Sequence, residues 1–110
     1  MDAKIYSSDF NVADIHVVDH LVNHAWNMQA TIFYDGARDR ICTQIDTVKG
    51  RAPWNGRDCR YYGKPDSASL FVAYAHVLAV LGMREDTPDQ HVQDRADIAL
   101  ENLAAIRPAN

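Results

Sequence analysis

The sequence predicts a mostly α protein, a small antiparallel helical bundle with a long Gly/Arg/aromatic connector. Three observations carry that expectation. Apolar residues recur at helical spacing near the start, the apolar run Leu70–Met83 continues for 14 residues, and a second helical seam follows it. The alternative is α+β, with a small antiparallel sheet drawn from residues 28–62.

The first element begins at "FNVADI". Asn11 suits an N-cap, and Asp14 stands where a carboxylate favours the helix dipole. Phe10 and Ile15 hold the two positions of a hydrophobic staple. Ile15, Val18, Leu21, Val22 and Ala25 then share one face, which predicts a helix over 12–26.

Residues 28–48 admit two readings. The stripe Met28, Ile32, Ala37, Ile41, Ile45 and Val48 continues a helical period, and that reading is preferred. As a hairpin, "DGAR" would join two strands, with Ile32 facing Ile41, Ala30 facing Thr43 and Met28 facing Ile45. Gln29, Thr31, Cys42 and Gln44 would occupy the opposite side, and "DCRYY" would supply a third strand.

The C-terminal half reads more plainly. Asp66 or Ser67 caps a helix running to about Leu81, with Gly82 placed to end it. Its nearly all-apolar circumference marks a central helix. Thr87, Pro88 and Gln90 make the start of the last helix, as N-cap, first position and capping-box partner. Val92, Ala96, Ala99, Leu103 and Ile106 form its seam, and the short connector makes the two helices antiparallel neighbours.

At 110 residues, 47% of them apolar and 24% charged, the chain suits a single globular domain over 1–110 that folds without disulfides or metal. "MDAKIYSSDF" lacks a signal-peptide pattern, and the run Leu70–Met83 is too short to cross a bilayer, so no membrane role is expected. Cys42 and Cys59, 17 positions apart, form no CxxC pair. Reduced thiols in a cytoplasmic protein follow.

Chemistry-bearing motifs are sparse. His16, His20 and His24 recur every four residues, and on a helix adjacent turns would present two imidazoles to one metal with help from Asp14, Asp19 or His91. A solvated polar face is the plainer reading, and no HExxH or Glu-x-x-His pair reinforces the metal. His76, alone among apolar neighbours, is more commonly a satisfied core or edge histidine than a general base. "YDGARDR" and "WNGRDCRYYGK" match neither GxxxxGK[ST] nor GxGxxG. Asp94, Asp97 and Glu101 read as a solubilising helix face. No cofactor or metal is expected, and catalysis is left open.

The segment Gly50–Asp66 stands apart. Arg51, Arg57, Arg60 and Lys64 interleave with Trp54, Tyr61 and Tyr62. Arginines offer paired donors to carboxylate or phosphate, while rings supply anchoring area. The net charge of −4 hides a split: residues 38–64 hold seven Lys/Arg against three Asp, a balance of +4. The remainder holds four against twelve, a balance of −8. Those residues would therefore contact an acidic protein partner or a second copy of the chain, making it a non-catalytic interaction protein and a possible homo-oligomer. The other function class is a small metal- or histidine-dependent enzyme acting on an anionic metabolite, an anionic small molecule being the second ligand chemistry such arginines accept. Duplex DNA is disfavoured, because the domain is acidic and lacks a basic helix.

Overall fold

Residues 15–23, expected as helix, form a strand. The computed structural model describes residues 3–5, 14–48 and 59–106. In chain order it contains β1 (Ala3–Ile5), β2 (Ile15–Asn23), β3 (Met28–Asp35), β4 (Arg40–Thr47), β5 (Cys59–Gly63), α1 (Ser67–Val80) and α2 (Asp89–Ile106). The strands make one five-stranded antiparallel sheet in the order β1-β5-β4-β3-β2. Both helices follow the sheet in sequence. The architecture is α+β, which overturns the mostly α helical bundle and the helix over 12–26.

The reason for that misreading lies in β2. Four of its nine residues, Ile15, Val17, Val18 and Val22, are β-branched and favour a pleated strand. The register against β3 runs Ile15–Asp35, His16–Tyr34 and Val17–Phe33, then shifts so that Asp19 faces Ile32 and Leu21 faces Ala30. A bulge inserts one extra residue and changes which side later side chains occupy. Ile15 therefore packs on the sheet's second side with Phe33, while Val18 and Leu21 join the main core. A period of two interrupted by one residue imitates a helical stripe over this length.

Residues 28–48 resolve in the same direction. Their β3–β4 hairpin pairs Ile32 with Thr43, Tyr34 with Ile41 and Ala30 with Ile45, around a turn at residues 36–39. The hairpin anticipated as the alternative lies two residues away in register. A slip of two leaves each side chain on its own side of the sheet, whereas a slip of one would invert them all. That is why the side assignments of Ile32, Ala30, Thr43, Ile45, Gln29, Thr31, Cys42 and Gln44 hold while their partners differ. "CRYYG" is β5, so part of the expected connector is sheet.

α1 and α2 stand where the sequence put them. The Asp66 carboxylate accepts the Ser69 N–H at 2.8 Å and caps α1. Gly82 ends the helix at φ 71°, and a Cβ there would meet the Trp26 ring at 2.4 Å, so glycine is required for two independent reasons. Asn23 ties the far end of β2 to this corner by donating from Nδ2 to the Leu81 carbonyl, 2.7 Å away. The start of α2 differs in detail: the Thr87 hydroxyl donates to the Met83 carbonyl and the Gln90 amide to Asp94, in place of a capping box. Val92, Ala96, Ala99 and Leu103 are buried as the seam requires, but Ile106 is 40% exposed.

α1 packs on β3, β4 and β5, and α2 on α1 and β2. The main core lies between helices and sheet, built from Ile32, Ile41, Tyr62, Leu70, Tyr74, Val77, Leu78 and Leu103 among others. The sheet's second side is also withdrawn from water: Phe33, Cys42 and Cys59 form a small apolar cluster there. Around it Gln29, Thr31, Asp35, Gln44 and Asp46 are buried polar residues. No helix among the described residues is long and apolar enough to cross a membrane.

Candidate functional site

The expected binding segment divides in three. Arg51, Trp54 and Arg57 lie outside the described residues. Tyr62 belongs to the core: it is 3% exposed, its hydroxyl and the Thr43 hydroxyl are hydrogen-bonded at 3.0 Å, and its ring stands 6.2 Å from that of His76. Arg60, Tyr61 and Lys64 remain at the surface of β5 and its exit, Arg60 and Tyr61 half-buried and Lys64 exposed.

Alternation along β5 explains the division. Tyr61 pairs with Cys42 and points to the sheet's second side, whereas its neighbour Tyr62 points under α1. Adjacent tyrosines that look alike in sequence thus take opposite roles. Tyr61 lies beneath the Arg40 guanidinium, 5.3 Å from the ring centroid. Arg40 also donates from Nε to the Asp35 carboxylate at 3.0 Å, and Arg38 approaches the same oxygen at 3.6 Å. Asp35 is fully buried, and its Oδ1 has no hydrogen-bond partner among the described residues. This group holds the β3–β4 turn together, so Arg38 and Arg40 spend part of their charge inside the molecule.

The described residues show part of the sequence's charge split: Arg38, Arg40, Arg60 and Lys64 stand against Asp39 and Asp46 in and around β4 and β5. β4 and β5 carry the described part of the basic segment. α2 carries Asp89, Asp94, Asp97 and Glu101 against the single cation Arg95, and packs at the other flank, over β2. Between them lies α1, which has no charged residue. α1 thus packs against both the acidic α2 and the strands that carry Arg40 and Arg60.

A second site, which the sequence reading missed, lies where β2 meets the helices. A cleft of about 480 Å³ is lined by Val18, Asp19, Tyr74, Arg95, Ile98, Ala99 and Asn102. The β2 bulge is what turns Asp19 toward it. Tyr74 donates its hydroxyl to Asp19 Oδ2 at 2.7 Å. Burial and that carboxylate push the Tyr74 phenol up, so it stays protonated and donates throughout the neutral range. Asp19 Oδ1 accepts the His20 N–H at 2.7 Å. Arg95 Nη1 stands 3.8 Å from Asp19 Oδ2, beyond hydrogen-bond reach. The sequence signal for this site was Asp19 within a β-branched run, a residue weighed only as an accessory ligand to a metal on the histidines.

The histidines do not assemble. His16 pairs with Tyr34 and stacks against its ring at 6.2 Å on the helix side of the sheet. His20, beyond the bulge, turns to the second side and shares a 2.7 Å hydrogen bond with Gln29. His24 sits in the 3-10 turn after β2. Among the described residues no three His, Cys, Asp or Glu side chains cluster as metal ligands would.

Cys42 and Cys59 are buried and form no disulfide. Burial pushes the Cys42 thiol up to about 12, against the partial relief of nearby Arg40, which makes it a poor nucleophile at neutral pH. Comparison with family models, curated proteins and solved structures finds no match to this chain.

Proposed function

We propose that this chain is a small binding protein that acts without catalysis, presenting its basic β4–β5 flank to an acidic surface on a partner protein or on a second copy. The observation behind this reading is the excess of cations around β4 and β5, Arg38, Arg40, Arg60 and Lys64 against Asp39 and Asp46, set beside four acids to one arginine on α2. Complementary fields of that kind steer encounter and fix orientation more than they add raw affinity. A second copy offers its own α2 as the acidic surface, a head-to-tail contact between unlike faces. Buried Cys42 and Cys59, which form no disulfide, fit a reducing compartment, and a cytoplasmic location is part of this proposal.

Tyr62 contributes to the fold and is withdrawn from the contact surface. Arg60, Tyr61 and Lys64 carry it, together with Arg51, Trp54 and Arg57 of the same basic segment. The test is equilibrium binding of a fluorescent oligoglutamate peptide, with light scattering across a concentration series. Arg57→Glu, Arg60→Glu and Lys64→Glu combined should abolish binding while circular dichroism stays unchanged. Raising salt from about 0.05 M to 0.5 M should weaken the unmodified protein's binding about tenfold or more, because exposed charges are screened over shorter distances. Binding that ignores both the substitutions and the salt would remove the proposal.

A further inference from the structure

We propose that the cleft between β2, α1 and α2 binds a free aliphatic α-amino acid as its zwitterion. This site lies on the flank opposite the basic one, and the inference does not depend on the partner reading.

Opposite charges in the cleft are set close without being joined. Arg95, on α2, is 44% exposed in its side chain and Asp19, on the β2 bulge, is 33% exposed; they stand 3.8 Å apart. The guanidinium has no hydrogen-bond partner among the described residues. It keeps its paired donors for a planar carboxylate. Asp19 uses one oxygen for Tyr74 and the other for the His20 N–H, and each oxygen retains a further lone pair. A ligand bearing only a carboxylate would meet Arg95 but also the repulsion of Asp19. A ligand bearing only an ammonium would meet the converse. An α-amino acid carries both charges on a single carbon, the spacing that two neighbouring but unbonded protein charges accept.

The remaining lining selects the side chain. Val18 is half-buried, and Ile98 is 58% exposed although it borders the cleft. These give an apolar wall beside the charged pair, while the Asn102 amide offers a further polar contact at the rim. Tyr74, buried and already committed to Asp19, acts as a positioning residue that holds the carboxylate toward the opening. The cleft volume is in the range of small-molecule sites.

The experiment is titration calorimetry of the full chain with leucine. Beside it run 4-methylpentanoate, which lacks leucine's ammonium, and 3-methylbutylamine, which lacks its carboxylate. Leucine should bind saturably, and each truncated analogue about tenfold or more weaker. Arg95→Gln should weaken leucine by a similar factor and, by removing a like charge, strengthen the amine. Asp19→Asn, which keeps an acceptor for Tyr74, should weaken leucine and, by removing a like charge, strengthen the acid. Arg95 is a surface residue, so its variant reports on binding even if the Asp19 variant folds poorly; circular dichroism verifies both. No saturable leucine binding, equal binding of the analogues, or unaltered affinity in Arg95→Gln would each overturn the proposal. Glutamate-peptide binding at the other flank, measured on the same variants, should not change.

Discussion

The two sides of the β3–β4 hairpin are equally dry and chemically unlike. Toward the helices stand Ala30, Ile32, Tyr34, Ile41 and Ile45, an apolar layer on which α1 rests. Away from them stand Gln29, Thr31, Asp35, Gln44 and Asp46, buried to similar degree around Phe33, Cys42 and Cys59. The first side is held by removal of apolar surface from water, which is tolerant of direction and sensitive to volume. The second depends on hydrogen bonds and charge pairing, in which Asp35 Oδ1 and Asp46 Oδ2 already lack partners among the described residues and losing a further one costs more than the pair contributes. One strand pair thus carries two kinds of stability, and substitutions should separate them.

The largest effect is expected at Asp35. Asp35→Ala leaves the mostly buried Arg40 guanidinium without its carboxylate and should cost about 3–5 kcal/mol in urea unfolding. Replacing the pair together, Asp35→Leu with Arg40→Met, should recover most of that loss. Should the single substitution be mild, the second side would not rest on matched charge and the contrast would dissolve.

On the helix side, Ile32→Ala opens a cavity in a fully buried position and should cost about 3 kcal/mol. Truncating its β4 partner should deepen the loss and not relieve it, because what is missing is volume and no charge is left to balance. A thermal or urea midpoint for Ile32→Ala combined with Thr43→Ala, compared with the two single changes, checks this.

A smaller effect, set by pH, sharpens the account of the second side. Cys42 is neutral in the fold, with its thiol pushed up to about 12, whereas an unfolded chain releases that proton near pH 9. The folded protein therefore keeps this contribution below pH 9 and loses it as pH rises toward 12, by about 1.4 kcal/mol per pH unit at most. Urea midpoints at pH 8 and 10 should fall more steeply for the unmodified chain than for Cys42→Ala. Equal slopes would show that the thiol is not shielded.

How much of this was legible depends on where the chain's signals agree. Around α1 and α2 they do: Asp66 as cap, Gly82 as stop, and the Val92–Leu103 seam all point one way, and both helices lie where expected. In β2 they conflict, since a bulge between Val17 and Asp19 resets the alternation and copies helical spacing. Nothing local to "VVD" marks that insertion; its cause is the pairing with β3, a contact between distant residues. The hairpin's sides were readable because alternation survives a slip of two, while its register was set by the turn at 36–39 and the long-range fit.

The candidate sites follow the same division. The basic character of residues 38–64 was visible in composition, but the opposite fates of Tyr61 and Tyr62 came from strand alternation that a loop reading could not supply. The Asp19–Tyr74–Arg95 cleft joins Asp19 to residues 55 and more positions away, from three elements. Only the fold brings them together, since the bulge in β2 that turns Asp19 to this side is set by pairing with β3.

The separation of charge between flanks is most directly tested by amide chemical shifts of the isotope-labelled protein during titration with oligoglutamate. Arg60, Tyr61 and Lys64 should move in a saturable, salt-sensitive way while the α2 amides stay fixed. Shifts centred on α2, or none along β5, would contradict it.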